Sequence, residues 1–189
     1  MNVKKASPYL RQPSEELQAA FLRFIEAFEA AHEPAHPLDK LARRNYPLYL
    51  ETVRENEQGL GLPDGFVPSS VYWLVDANGE IVGVSSLRHR LTPALEDLGG
   101  HIGYRVHPAH RRKGYGTLLL KLTLEQARRR GLRRVLVTCD TDNIGSAGVI
   151  RNNGGVLDSQ GISSQSGKHV SRFWIDLPHE DETQPRTEV

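Results

Sequence analysis

"HPAHRRKGYGTLLL", residues 107–120, places Arg111, Arg112 and Lys113 directly before Gly114 and Gly116 and then opens an apolar helical pattern. Adjacent cations repel, and a glycine weakens a helix by about 1 kcal/mol relative to alanine. An anionic ligand offsets both costs. A strand that stops at Pro108 and a helix that starts near Gly114 leave the main-chain N–H groups of residues 112–117 without intrahelical acceptors. Those donors, the positive end of the helix dipole and the flanking cations form an anion site of the size of a diphosphate. The stretch lacks the G-x-x-x-x-G-K-[ST] of a P-loop. It also lacks the third glycine of a dinucleotide fingerprint, because that position is Leu119. What it has is R-x-x-G-x-G, on Arg111, Gly114 and Gly116.

Working outward, "HIGYRVHP" (101–108) alternates as a strand. Leu118, Leu119, Leu122 and Gln126 or Ala127 mark one face of the helix that follows, and Gly131 suits its C-terminal end. "RVLVTCD" (134–140) is nearly continuous apolar sequence, which suits a strand buried on both faces. A helix over about 144–153 ends at Gly154-Gly155, and strands near 155–160 and 169–177 complete the pattern. Upstream, "VYWLVD" and "IVGVSSLRHRL" flank Ala77-Asn78-Gly79 as a hairpin. Residues 3–10 read as a short strand and Ser14 as the N-cap of a helix over 17–32. Two helical pieces over 38–57 divide at Pro47, and 59–70 and 92–99 read as loops. Helices and strands mix without strict alternation, which predicts an α+β sheet with flanking helices.

The chain has 189 residues, 38% hydrophobic and 25% charged, with a formal net charge of +1. That length and composition suit one globular unit with its own core. Residues 101–134 nevertheless hold ten Lys/Arg against one acid, Glu125, so the positive charge is local. A local basic region in a near-neutral chain favours a small anionic ligand over nucleic acid or a membrane surface. Cys139 is the one cysteine, which excludes an intramolecular disulfide and a cysteine-based zinc site and suits a reducing cytoplasm. No run of eighteen apolar residues occurs.

With its strand before and helix after, the R-x-x-G-x-G turn resembles the signature of the GNAT superfamily of N-acetyltransferases. "VLVTCDTDNIGSAGVIRNNGG" resembles the family's fifth strand and following helix, with Asn143 and Ser146 in the N-x-x-[AS] positions and Gly154 or Gly155 late. "VPSSVYWLVD…GEIVGVSSLRHRL…GGHIGYRVHP" is similar to a branch of bacterial acetyltransferases. The resemblance covers residues 70–177. It implies a mixed, mostly antiparallel sheet of six or seven strands, with a central parallel pair splayed at a bulge around the cofactor. It implies one unit over 1–177, its residues 1–68 a helical acceptor-side region, and an acidic tail over 178–189. The cosubstrate would be acetyl-CoA and no metal would be needed.

By that resemblance Val106 and His107 line the pantetheine. Arg111, Arg112, Lys113, Gly114, Tyr115, Gly116 and Thr117 hold the diphosphate, and Asn143 and Ser146 form the opposite wall. The implied reaction is direct transfer of an acetyl group to a primary amine of a small molecule or peptide. No glutamate lies between Asp97 and Glu125 to serve as base, and Ile150 stands where relatives carry a tyrosine acid. His101 and Tyr104 are therefore the catalytic candidates, with His89 and Tyr115 behind them. A non-catalytic acyl-CoA-binding module is the alternative. An RNA-binding role for "RHR", "RRK" and "RRRGLRR" is disfavoured by net charge and by the lack of a stacking surface. The resemblance leaves a homodimer open and implies neither a nucleic-acid nor a membrane partner.

Overall fold

Asp76 sets the central hairpin. Its Oδ1 accepts the N–H groups of Asn78 (2.8 Å) and Glu80 (3.0 Å), so the chain reverses between β2 (Ser69–Val75) and β3 (Ile81–Arg88). The computed structural model describes residues 7–178. β1 (Tyr9–Arg11) adds to the free edge of β2, and β4 (Ile102–Val106) pairs antiparallel with β3, giving a four-stranded sheet in the order β1-β2-β3-β4. β5 (Arg134–Asp140), β6 (Val156–Ile162) and β7 (His169–Asp176) form a second sheet in the order β5-β7-β6. The seven expected strands are therefore present, but in two sheets that meet along a seam between β4 and β5.

Alternation of side chains gives the first sheet two different faces. Trp73, Val75 and Ile81 pack against Phe21, Phe24, Phe28, Tyr49 and Leu50. Those partners come from α1 (Gln18–Ala30) and α3 (Tyr46–Gln58), with α2 (Pro37–Arg44) beside them. The opposite face carries Leu87 and Ile102 against Leu120 and Leu124 of α5 (Tyr115–Arg129), continuous with Val135, Val137, Phe173 and Ile175 of the second sheet. α5 is the crossover from β4 to β5, the kind of connection parallel neighbours require. α6 (Ile144–Arg151) follows β5 and buries Ala147 and Ile150.

Three local expectations are corrected. Residues 92–99 contain a short helix, α4 (Pro93–Asp97), because Thr92 caps it (Oγ1 accepts the N–H of Leu95, 3.3 Å) and Pro93 suits its first turn. The two upstream helices divide as expected, with Pro47 in the first turn of α3 and Asn45 capping it (Oδ1 accepts the N–H of Leu48, 3.1 Å). Ser14 makes no side-chain cap, and its Oγ is buried without a partner. The β3/β4 register runs from Leu87↔Ile102 to Gly83↔Val106 without a shift, so β4 carries no bulge. The acidic segment 179–189 and residues 3–6 of the expected first strand lie outside the described residues.

Candidate functional site

The seam is pinned at one end. Gly100 has φ +59°, and a Cβ there would lie 2.4 Å from the carbonyl oxygen of Leu136, so only glycine lets the two backbones pass. One residue later the N–H of His101 donates to Leu136 O (2.7 Å), and the N–H of Leu136 donates to His101 Nδ1 (2.9 Å). Gly99 N–H adds a bond to Thr138 Oγ1 (2.9 Å). Beyond this pin β4 has β3 alone as ladder partner. The N–H of His107 bonds Val82 O (3.0 Å), which fixes the alternation. Main-chain groups of Gly103 and Arg105 therefore serve β3, while those of Tyr104 and Val106 face the gap toward β5. The carbonyl of Val106 accepts Arg111 Nε (3.2 Å).

At the open end, Arg112 (φ +62°) and Gly114 (φ +83°) are both left-handed, and this twist turns the chain into α5. The first intrahelical bond runs from Leu118 N–H to Gly114 O (3.1 Å), so the N–H groups of Tyr115, Gly116 and Thr117 precede the ladder. Gly116 serves packing: a Cβ there would lie 3.1 Å from Val149 and 3.5 Å from Val106. The cations divide their work. Arg111 grips Glu33 at the end of α1 through both terminal nitrogens (2.7 and 2.8 Å), and Lys113 folds back onto Ala109 O (2.9 Å). Arg112 is exposed and extends from the loop. Of the three expected phosphate cations, the structure leaves Arg112 untied. The His107 side chain lies on the α1 side. Its Nδ1 accepts the N–H of Ala109 (3.2 Å), and its ring packs on Phe24 and His110.

Across the gap, Asn143 caps α6 by accepting the N–H of Ser146 (2.9 Å). The Tyr104 hydroxyl reaches over from β4 to Ser146, 2.8 Å from its Oγ and 3.3 Å from its carbonyl oxygen. Burial pushes the phenol up to about 12, so it keeps its proton at any working pH. Cys139, on β5 beside them, is buried, and burial raises its thiol as well. Ile150 points into the core. Asn153 was not legible as part of the site, yet its amide ties Thr117 O (3.2 Å) to Val149 O (2.9 Å) and fixes α6 against the first turn of α5.

On the other face of β4, a cavity of about 240 Å³ lies between the sheet and α1–α3, lined by Phe21, His36, Asp39, Tyr49, Ser86, Arg88 and Arg105 among others. Asp39 is buried and is clasped by both terminal nitrogens of Arg105. The same carboxylate accepts the N–H of His36 (3.1 Å), closing the start of α2. Arg105 also lies over the rings of Phe24 (5.2 Å) and Phe28 (4.9 Å). The histidines near the seam are poor proton acceptors. His36, His101 and His107 each use Nδ1 to accept a backbone N–H, which assigns their remaining proton to Nε2. Burial holds His101 neutral, with a pKa lowered to about 4. His89 is bonded to Ser70 Oγ (2.9 Å), which also donates to Glu57 (2.8 Å), between α3 and β2. His101 thus joins the two sheets and presents no free basic nitrogen to the gap, while His89 sits between α3 and β2. Among the described residues no three His, Cys, Asp or Glu side chains gather around a metal-sized space, and no helix is long and apolar enough to cross a membrane.

Comparison with known proteins follows this geometry. The model of the acetyltransferase (GNAT) family matches residues 26–154. Among solved structures, the Salmonella typhimurium acetyltransferase that modifies the N-terminal serine of ribosomal protein L7/L12 is 18% identical, with a TM-score of 0.66 over 92% of this chain and 96% of that one. The ribosomal-protein-S5-alanine acetyltransferase of Vibrio fischeri is 16% identical, with a TM-score of 0.68 over 95% and 97%. Mycobacterium smegmatis RimJ in complex with CoA-disulfide is 19% identical, with a TM-score of 0.65 over 93% and 83%. At these identities the likeness is one of fold. No curated protein sequence matches significantly.

Proposed function

Because the chain belongs to the GNAT acetyltransferase family and takes acetyl-CoA as its cosubstrate, we propose that the β4/β5 seam holds acetyl-CoA and that the acetyl group passes directly to a primary amine entering from the α1–α3 side. The observation that carries this reading is the seam itself: one pinned end, a run of unladdered main-chain groups, and a left-handed turn of N–H donors at the other end. The N–H groups of residues 112–117, with Arg112, hold the diphosphate. The N–H and C=O groups of Tyr104 and Val106 that face the gap pair with the pantetheine amides as an added strand would. Acetyl-CoA supplies an activated acyl group on a sulfur leaving group.

Tyr104, bridged to Ser146, donates to the sulfur as it departs. This puts a hydroxyl on the strand where Ile150 leaves none on the helix. The amine, with an ordinary pKa of about 10.4 on an alkyl chain and about 8 at a peptide terminus, loses its proton to water, since His36, His101 and His107 have their accepting nitrogens occupied. His101 acts as the positioning residue of the seam. The described neighbours that act on ribosomal proteins make peptide termini one acceptor class to test, and small primary amines are the other. The protein is expected to work in the cytoplasm. Calorimetry with CoA, followed by thiol release from acetyl-CoA over an amine panel, tests the proposal. Binding with amine-dependent release is expected. No heat and no thermal stabilisation at millimolar CoA would overturn it.

A further inference from the structure

The cavity on the outer face of β4 has a charge arrangement that selects its occupant. Its one carboxylate, Asp39, is already charge-matched by the two-pronged grip of Arg105 and also accepts the N–H of His36, which leaves it little to offer an incoming cation. Arg105 has its charge matched by Asp39 and lies over the faces of Phe24 and Phe28. Arg88 is different. Its Nη1 donates to the carbonyls of Gly99 and Gly100 (3.0 Å each), which fixes the guanidinium beside the pinned end of the seam. No carboxylate among the described residues pairs with it. A guanidinium has five N–H donors, and the two on Nη1 are the ones used, so Nε–H and the Nη2 pair remain. They form the edge that matches a carboxylate in two-pronged fashion. Burial weakens the hydration of this cation, so an anion in the cavity is matched against little competing water.

We infer that the acceptor is a small primary amine bearing a carboxylate, of the free α-amino-acid type, and that Arg88 holds that carboxylate while the amine faces β4. This rests on the transferase reading above and narrows it. The cavity, at about 240 Å³, is of a size to seat one small ligand against β4. A polyamine would bring a second positive charge into a cavity whose only carboxylate is already neutralised.

The test compares matched pairs: leucine, phenylalanine and methionine, each against its amide and against the amine lacking the carboxylate, with spermidine as a polycation. Thiol release gives kcat/KM for each on the wild type, Arg88→Met and Arg88→Lys, and Tm is recorded for all three proteins. The wild type is expected to favour the acid over its amide and its decarboxylated partner by about 10-fold to 1,000-fold. In Arg88→Met that ratio should fall toward one, and Arg88→Lys should keep part of it. A merely structural loss would lower both members of a pair together and leave the ratio unchanged. Equal use of acids and decarboxylated amines, preference for spermidine, or an undiminished ratio in Arg88→Met would overturn the inference while leaving the transferase intact. So would CoA binding with no acid in the panel either acetylated or able to raise the Tm of the CoA complex. Failure of CoA itself to bind would instead remove the transferase reading.

Discussion

Replacing Tyr104 by phenylalanine removes one oxygen from the seam and isolates the chemistry assigned to it. The hydroxyl lies 2.8 Å from Ser146 Oγ, so its loss costs about 1 kcal/mol of stability and leaves the ring in place. The catalytic effect follows from two acidities. A phenol raised to about 12 is a weaker acid than a thiol near 8.5, so full proton transfer to a thiolate in water would run uphill. Cys139 shows that this gap is not like water, because burial lifts its thiol too. A departing sulfur in the same surroundings is destabilised as an anion and gains from a donor. General acids contribute about 10²-fold to 10⁴-fold, and a mismatched donor to an already tolerable leaving group belongs at or below the lower end. Tyr104→Phe should therefore lower kcat by about 10-fold to 100-fold and change the KM for acetyl-CoA by less than about threefold. Ser146→Ala keeps the phenol and should cost less than about fivefold. Steady-state thiol release with the best amine of the panel, alongside CoA calorimetry, reads both quantities. A Tyr104→Phe enzyme that binds CoA normally and turns over within about twofold of the wild type would refute the assignment.

Gly100→Ala should be strongly destabilising. Its Cβ would meet Leu136 O at 2.4 Å with φ at +59°, so about 2–4 kcal/mol and a Tm loss of about 5–15 °C are expected, whereas Gly114→Ala, with open space around its Cβ, should lose about 1 kcal/mol; thermal melts compare them. His101 titrates near 4 in the fold and near 6.5 unfolded, so below pH 6.5 the unfolded chain binds the extra proton. Stability on the order of 3 kcal/mol is then lost as pH falls from 6.5 toward 4, and His101→Asn should flatten that part of the Tm–pH curve. Arg112→Ala should raise the KM for acetyl-CoA by about 3-fold to 10-fold and weaken its salt dependence, while Arg111→Ala, losing a half-exposed pair with Glu33, should change KM by less than about twofold.

What could be read from residues 101–120 was what local punctuation encodes. Pro108 stops a strand, Gly114 supplies a left-handed turn, and the leucines after it repeat at helical spacing, so strand, turn and helix were legible together. Partners distant in sequence were not. Nothing near Arg111 announces that Glu33, 78 residues away, will claim it, so three adjacent cations looked equivalent when two are engaged in holding the loop. His101 looked like an alternating strand residue with a basic ring. Its role depends on Leu136 arriving from another sheet. The acceptor-side pocket was hidden for a related reason. His36 and Asp39 carry the mark of a helix start, which accounts for them locally, and the Arg105 that completes the cluster lies 66 residues beyond Asp39.

In the proposed arrangement one short strand, β4, serves both substrates. Side chains alternate across a strand, so Tyr104 and Arg105, adjacent in sequence, work on opposite faces: one reaches Ser146 over the seam, the other lines the cavity beside α1–α3 and holds Asp39. The main chain alternates as well. Groups that bond β3 belong to the odd positions, which leaves those of Tyr104 and Val106 directed into the gap. The unbroken register is what makes this division reliable, because a one-residue slip would exchange the two faces. A bulge is not needed to open the seam. The Gly100–His101 pin holds the two sheets at one end, the Gly114 turn carries the chain away at the other, and the gap between them is the room that the unladdered edge of β4 requires.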